Sequence, residues 1–316
     1  MTPYRVMPYR VMVVGLSPAW QQIYRFDGWA EGEVNRAREA VACASGKVIN
    51  VVRALTRLGV RTTGLSIAGG SAGEMLKSAC ESEGLDMHWL EVGASSRVCT
   101  TILDDTGAVG TTEMVENCAS LRKSELKAYA NQSLRMSPAS DALVVTGSLP
   151  ADTPEAFLKT LVRDYERRVY LDIRGPELSA CLPERPYLVK PNREELAATL
   201  GEGVDGDEAF DAGVEALCRM GAECAVVSDG LQALRVSGQS GKYRMPALLS
   251  RNTNPIGCGD CLMAGIVAGI GRGMGEKDAI VLGIAAAAEN ADTLLPADIK
   301  RDRVLRRAAE ASIGVR

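Results

Sequence analysis

An α/β fold with a mainly parallel central sheet is what the sequence predicts, on three observations. From residue 121 onward, short apolar runs, among them Ala142 to Thr146, Val169 to Ile173 and Cys224 to Ser228, alternate with helical stretches of ten or more residues. That is the pattern of strands buried on both faces beneath crossover helices. A chain of 316 residues with 46% hydrophobic content is long enough for one large core. The turn Asp104-Asp105-Thr106-Gly107, flanked by Arg97 to Leu103 and Thr111 to Val115, marks a second, smaller patch of antiparallel strands.

Taken in order, the elements read as follows. Pro3-Tyr4-Arg5-Val6-Met7 recurs as Pro8-Tyr9-Arg10-Val11-Met12; so short a terminal duplication is no structural repeat, and residues 1 to 8 are expected to be loosely held. Val11 to Leu16 is the first buried strand, too short to span a bilayer and without a signal-peptide layout. Ser17-Pro18-Ala19 breaks it, and Ile23 to Val34 alternates weakly with Gly28 and Gly32 as turns, which suggests exposed strands. Ser45 to Gly59 is a turn entering an amphipathic helix stopped by Gly59, with Gly46, Lys47 and Asn50 at its mouth. Thr63 to Ala68 is a strand, Gly69 to Gly73 a turn, and Glu74 to Glu83 a helix closed by Gly84. Residues 154 to 167 form a helix, and Tyr187 to Lys190 is a further strand. In such a sheet ligands sit at the carboxyl ends of the strands, so Ser148, Asp172, Asn192, Ser228 and Gly230 are site candidates.

Composition narrows the function. The formal charge of −4 comes without a long basic run, so neither nucleic acid nor an anionic membrane is expected as partner. Nine cysteines without framework-like spacing fit the reduced thiols of a cytoplasm. His88 is the only histidine, which excludes a His-based triad or a multi-histidine metal site.

The most informative stretch is Asn254-Pro255-Ile256-Gly257-Cys258-Gly259-Asp260, followed by the small-residue run Cys261 to Gly269. Asn-Pro is a turn and the run after it a buried helix, so Gly257 to Asp260 form its first turn. Amides there lack intrahelical partners, the helix dipole adds positive charge, and glycine lets an anion approach the backbone. Asp260 is then either a capping residue or a base placed beside a phosphoryl group. Cys258-Gly259-Asp260-Cys261 is formally a C-x-x-C, which a redox site would use, although no second such pair exists for zinc.

Four stretches, Ser45-Gly46-Lys47-Val48-Ile49-Asn50, Thr146-Gly147-Ser148-Leu149-Pro150, Val189-Lys190-Pro191-Asn192-Arg193-Glu194-Glu195-Leu196 and Asn254 to Asp260, resemble in order and spacing the ribokinase-type (PfkB) carbohydrate kinases, closest to the branch of 1-phosphofructokinases and tagatose-6-phosphate kinases. The resemblance runs from about Val11 to Leu295. It implies one ribokinase-like α/β domain over residues 1–316, a three-layer sandwich with a mainly parallel sheet, and a small β lid built from about 21–38 and 96–117 that closes over the sugar and often makes a homodimer contact.

The resemblance also implies roles. Asp260 matches the catalytic base, and the amides of Gly257, Cys258 and Gly259 the anion hole. Asn192 and Glu195 match an N-x-x-E element holding Mg2+, largely through water; Lys190, Asn192, Ser228, Gly230, Gly257 and Gly259 lie with the ATP. Asn50 matches a sugar-hydroxyl contact, Lys47 and Arg97 a cationic pair on the substrate's phosphate, and Gly46 and Ser148 belong to the same subsite. Two positions depart from the family pattern: Gln21 stands where an aspartate usually bonds the sugar, and Val48 where a glycine follows the lysine, adding bulk where the backbone would approach the sugar. The implied activity is ATP-dependent phosphorylation of a phosphorylated ketohexose, fructose 1-phosphate first, with tagatose 6-phosphate or another sugar as alternative. A non-catalytic phosphosugar-binding regulator is the alternative of another class, and the intact Asp260, Asn192 and Glu195 argue against it.

Overall fold

The computed structural model describes residues 9–107, 110–250 and 254–314; the expectation for residues 1 to 8 lies outside them. The first strand, β1 (Arg10–Val14), alternates between two cores because successive side chains leave opposite faces of a sheet. Val11 and Val13 pack with one cluster of apolar side chains, Met12 and Val14 with another. This double burial is why the run reads as continuously apolar.

Around β1 lie β4 (Arg61–Ala68), β5 (Met87–Glu91), β8 (Ala142–Thr146), β9 (Arg168–Asp172), β10 (Leu188–Val189) and β11 (Ala225–Val227), all parallel, followed at one edge by the antiparallel β12 (Leu234–Gly238) and β13 (Gly241–Met245). The spatial order β13-β12-β11-β10-β9-β8-β1-β4-β5 places β1 within the sheet. On the face of Val11 lie α1 (Lys47–Arg57), α2 (Gly70–Ser82), α8 (Cys258–Gly271), α9 (Glu276–Ala291) and α10 (Arg301–Gly314); on the face of Met12 lie α3 (Lys123–Met136), α4 (Phe157–Arg163), α5 (Gly175–Cys181), α6 (Arg193–Leu200) and α7 (Gly206–Arg219). The three layers are therefore helices, sheet, helices.

A separate four-stranded sheet, ordered β3-β2-β6-β7, consists of β2 (Ala19–Phe26), β3 (Glu39–Ser45), β6 (Arg97–Asp104) and β7 (Thr111–Val115). Its β2 and β6 run parallel, while β3 and β7 pair antiparallel at the edges. Strand β3 lies beyond the segment 21–38 that the sequence reading gave to this sheet. Its residues are mostly small and its outer half is exposed, so they carry little apolar alternation.

Other boundaries differ too. Gly70 to Gly73 form the first turn of α2 rather than a loop, since glycine lets the helix start against the end of β4: a Cβ on Gly73 would come 3.1 Å from the Ala68 carbonyl carbon. The helix expected over 154–167 is confined to α4, because Pro154 and the left-handed Asp152 (φ 58°) hold the chain in turns before it. The helices α8 and α9 approach so closely that a Cβ on Gly265 would lie 2.6 Å from the Gly283 Cα, which explains the small-residue run after Asp260.

Candidate active site

The amino termini of α1, α6 and α8 converge at the carboxyl ends of β9, β10 and β11. There a cavity of about 730 Å³ is lined by Gln21, Gly46, Lys47, Asn50, Arg97, Lys190, Asn192, Glu195, Ser228, Gly230 and the run Pro255 to Asp260. Every site residue expected from sequence lines it except Ser148, which is exposed and outside the wall, and Asp172, which is fully buried behind it.

The loop before α8 is built by two asparagines. Asn254 accepts from the Ile256 amide (3.0 Å) and donates to Leu294 O (2.7 Å). Asn290 of α9 donates to Ile256 O (2.9 Å) and accepts from the Ala297 amide (2.6 Å). Gly257 caps α8 with φ 86°, a left-handed value that favours glycine. The Cys258 amide donates to Pro255 O (3.2 Å), so of the three amides expected to face an anion this one is already engaged; those of Gly257, Gly259 and Asp260 have no backbone acceptor among the described residues. Lys190 brings a positive charge to the same place: a Cβ on Gly259 would come 3.3 Å from its Nζ.

Behind the loop lies an ion cluster. Lys47 Nζ is 3.0 Å from Asp172 Oδ1 and 3.3 Å from Glu195 Oε1, and Lys190 Nζ is 3.3 Å from the same Asp172 oxygen. Burial alone would push the Asp172 carboxyl up, but Lys190 and Lys47 hold it below the usual carboxylate value. Burial would likewise lower Lys47, yet Asp172, Glu195 and Asp260 raise it, so it stays charged. Asp260, 5% exposed, is pushed up to about 6, first by burial and then by Asp172, against Lys47, the hydrogen bond from Asn50 and Lys190. A carboxylate near 6 is ionised at neutral pH and basic enough to take a proton.

Asn192 and Glu195 form a reciprocal capping box at α6: Asn192 Oδ1 accepts from the Glu195 amide (2.7 Å), and Glu195 Oε2 from the Asn192 amide (2.9 Å). Ser228 bridges to Asn192 between β10 and β11. Asn50, expected at the sugar, donates from Nδ2 to Asp260 Oδ2 (2.8 Å). Lys47, expected on the substrate's phosphate, is instead held by Asp172 and Glu195. Arg97 reaches Ser17 O (2.9 Å) and Glu116 O (3.3 Å) in the wall of the same cavity. Gln21, 6% exposed, donates to Thr101 Oγ1 (2.9 Å). Val48 does not add bulk at the sugar: it is buried in the core and packs under Gly15, whose ideal Cβ would lie 3.1 Å from it. The C-x-x-C is no thiolate site either, since burial pushes Cys258 up to about 11 and Cys261 well above its ordinary value.

Of two further contributors, Asp172 was a site candidate only by its place at a strand end, with no partner or role assigned, and Asn290 was not singled out at all. Asp172 ends an apolar strand as a lone carboxylate, and Asn290 interrupts the alanine-rich α9; each is a polar residue where its element is otherwise buried.

The pfkB family carbohydrate kinase model matches residues 9–296. The chain belongs to that family. It is 28% identical to a 1-phosphofructokinase of Haloferax volcanii over 278 residues, 88% of this chain and 89% of the relative. It is 27% identical to the 1-phosphofructokinase of Bacillus subtilis over 285 residues, 89% and 92% of the two chains. Among solved structures, phosphofructokinase-2 from Escherichia coli superposes with a TM-score of 0.87 at 22% identity, covering 96% of this chain and 99% of that one. Ribokinase from Thermotoga maritima gives 0.74 at 17%, covering 95% and 99%. These structures show the ribokinase-like fold. The protein is a carbohydrate kinase, for which the family implies ATP as co-substrate, and its curated relatives support a phosphosugar as acceptor. Among the described residues no helix is long and apolar enough to cross a membrane.

Proposed function

We propose that this kinase transfers the γ-phosphoryl group of ATP to a hydroxyl of fructose 1-phosphate, giving fructose 1,6-bisphosphate. The observation that carries the reading is Asp260, a carboxylate raised to about 6 at the amino terminus of α8, beside amides with no backbone acceptor among the described residues. Asp260 takes the proton of the attacking hydroxyl, while the amides of Gly257, Gly259 and Asp260, with Lys190, receive the charge of the transferred group. Ser228 and Gly230 lie with the nucleotide. Arg97 holds the phosphate already on the sugar. Lys47 stands on the transfer side, where Asp172 and Glu195 keep it.

Asp172, Glu195 and Asn192 fit Mg2+, a hard cation that takes oxygen ligands and keeps several waters. Asp172 Oδ2 is buried without a hydrogen-bond partner among the described residues, and the cluster sets three carboxylates against two ammoniums, leaving negative charge for a cation to balance. When bound, Mg2+ would neutralise the nucleotide phosphates. The whole chain acts as one kinase domain in which the small sheet of β2, β3, β6 and β7 closes over the sugar as a lid; the exposed Met114 and Val115 on its edge strand offer a contact to a second copy. Nine thiols, all free, suit a reducing cytoplasm.

A coupled ADP-release assay over free and phosphorylated sugars tests the acceptor. Fructose 1-phosphate is expected to give the highest kcat/KM; a higher value for tagatose 6-phosphate or an unphosphorylated sugar would replace it.

A further inference from the structure

Arg53 lies on α1, one turn beyond Asn50, and is only 3% exposed. A guanidinium has five N–H groups and cannot accept, and a buried one must be paired to be tolerated. All five donors are used. Nε and Nη2 reach Glu83 at 2.6 and 2.8 Å; Nη2 also reaches Ala44 O at 2.7 Å; Nη1 reaches Pro296 O at 3.0 Å and Asn50 Oδ1 at 3.3 Å. Glu83 follows α2, Ala44 belongs to β3 of the small sheet, and Pro296 lies against Gly257 at the start of α8. One side chain thus ties a helix, the small sheet and the anion loop to Asn50.

The consequence is the orientation of the Asn50 amide. Its oxygen accepts from Arg53 and from the Ser45 hydroxyl (3.1 Å), and its nitrogen donates to Asp260. A guanidinium only donates and a carboxylate only accepts, so the amide is allowed one orientation between them. The Ser45 hydroxyl can donate or accept and would permit either. Reversed, the amide would set its oxygen against the Asp260 carboxylate.

We propose that Arg53, clamped by Glu83, is a positioning residue that fixes the Asn50 amide and through it aims the Asp260 carboxylate at the acceptor hydroxyl. The inference rests on Asp260 being the base. Its test is a double-mutant cycle read in steady-state kinetics. Arg53→Met is expected to lower kcat on the order of tenfold, the weight of one hydrogen bond at the reacting group, with the KM values for ATP and sugar within about twofold of wild type. Asn50→Ala should lower kcat similarly, and adding Arg53→Met to it should cost little more, because the arginine then has no amide to orient. A purely structural Arg53 would give multiplied losses or raised KM values, and either result overturns the proposal, as does unchanged kcat in Arg53→Met. If Arg53→Met does not fold, Arg53→Lys carries the same cycle, keeping the charge beside Glu83 but replacing the fork by one head group. Asp260→Asn, run alongside, separates the two readings: wild-type turnover there sinks the base itself, whereas an inert Asp260→Asn with an unaffected Arg53 variant sinks this inference alone.

Discussion

Lys47 Nζ sits 3.0 Å from Asp172 Oδ1 although 125 residues separate them. The contact joins the mouth of α1 to the end of β9 and makes Lys47 part of the ion cluster beneath the anion loop. Its pairing with Asp172 and Glu195 holds Lys47 charged, and with Lys190 it leaves Asp260 as the carboxylate that burial and Asp172 push up.

Asp260→Asn should cut kcat roughly a hundredfold or more while nucleotide affinity stays within a few-fold. In the wild type kcat/KM should fall as pH drops through about 6, where the free enzyme's base takes up its proton. Stability has the opposite sign. The folded value, about 6, lies above the ordinary 3.8, so the folded chain binds this proton more tightly. Its stabilising contribution is complete below about 4 and lost as pH rises through 6, a difference of up to ~3 kcal/mol. Asp260→Asn should therefore have a higher Tm than wild type at pH 8, the gap closing toward pH 4; turnover unaltered by the substitution would remove the base assignment.

Glu195 faces both a capping amide and Lys47, so Glu195→Gln keeps the first contact and loses the charge. The Mg2+ concentration for half-maximal rate should rise several-fold, with the fold intact by circular dichroism, since the amide can still cap α6. An unchanged Mg2+ dependence would reduce Glu195 to a helix cap.

The thiols flanking Gly259 offer a contrary case. Burial keeps Cys258 and Cys261 protonated, so neither should act as a nucleophile or redox group. Cys258→Ala and Cys261→Ala should each retain most kinase activity under reducing conditions. Loss of activity in both, with the protein folded, would return the C-x-x-C to the chemistry.

How far the sequence led depends on the range of each interaction. The apolar strands, the turn at Gly257 and the pairing of Asn192 with Glu195 in one N-x-x-E stretch were legible because a few adjacent residues specify them. Strand β3 was not, being small-residue and half-exposed, and the hairpin β12 to β13 carries exposed polar residues on its outer strand. Within the site, the residue types were legible and their partners were not. Asn50 reaches Asp260 across 210 residues, and Lys47 finds two carboxylates that no spacing announces. Val48 shows the same limit: its side chain points into the core rather than the cavity, a direction set by how α1 packs beneath Gly15.

The last prediction concerns the acceptor. Lys47 is committed to two carboxylates, which leaves Arg97, at the start of β6 in the cavity wall, to hold a phosphate on the sugar. Its acceptors among the described residues are the neutral carbonyls of Ser17 and Glu116, and its buried Nε has no partner there. A phosphate oxygen would supply the charge that these carbonyls lack, and a charge-assisted bond of this kind is worth about 1.5 to 3 kcal/mol. Arg97→Ala should accordingly raise the KM for the phosphosugar tenfold to a hundredfold, with the KM for ATP and the rate with any neutral sugar almost unchanged. Lys47→Ala should behave differently, lowering kcat more than it raises that KM, because it disturbs the cluster around Asp260. If Arg97→Ala leaves the acceptor KM untouched while Lys47→Ala raises it, the phosphate is held by Lys47 after all, and the pairing with Asp172 must open when the sugar binds.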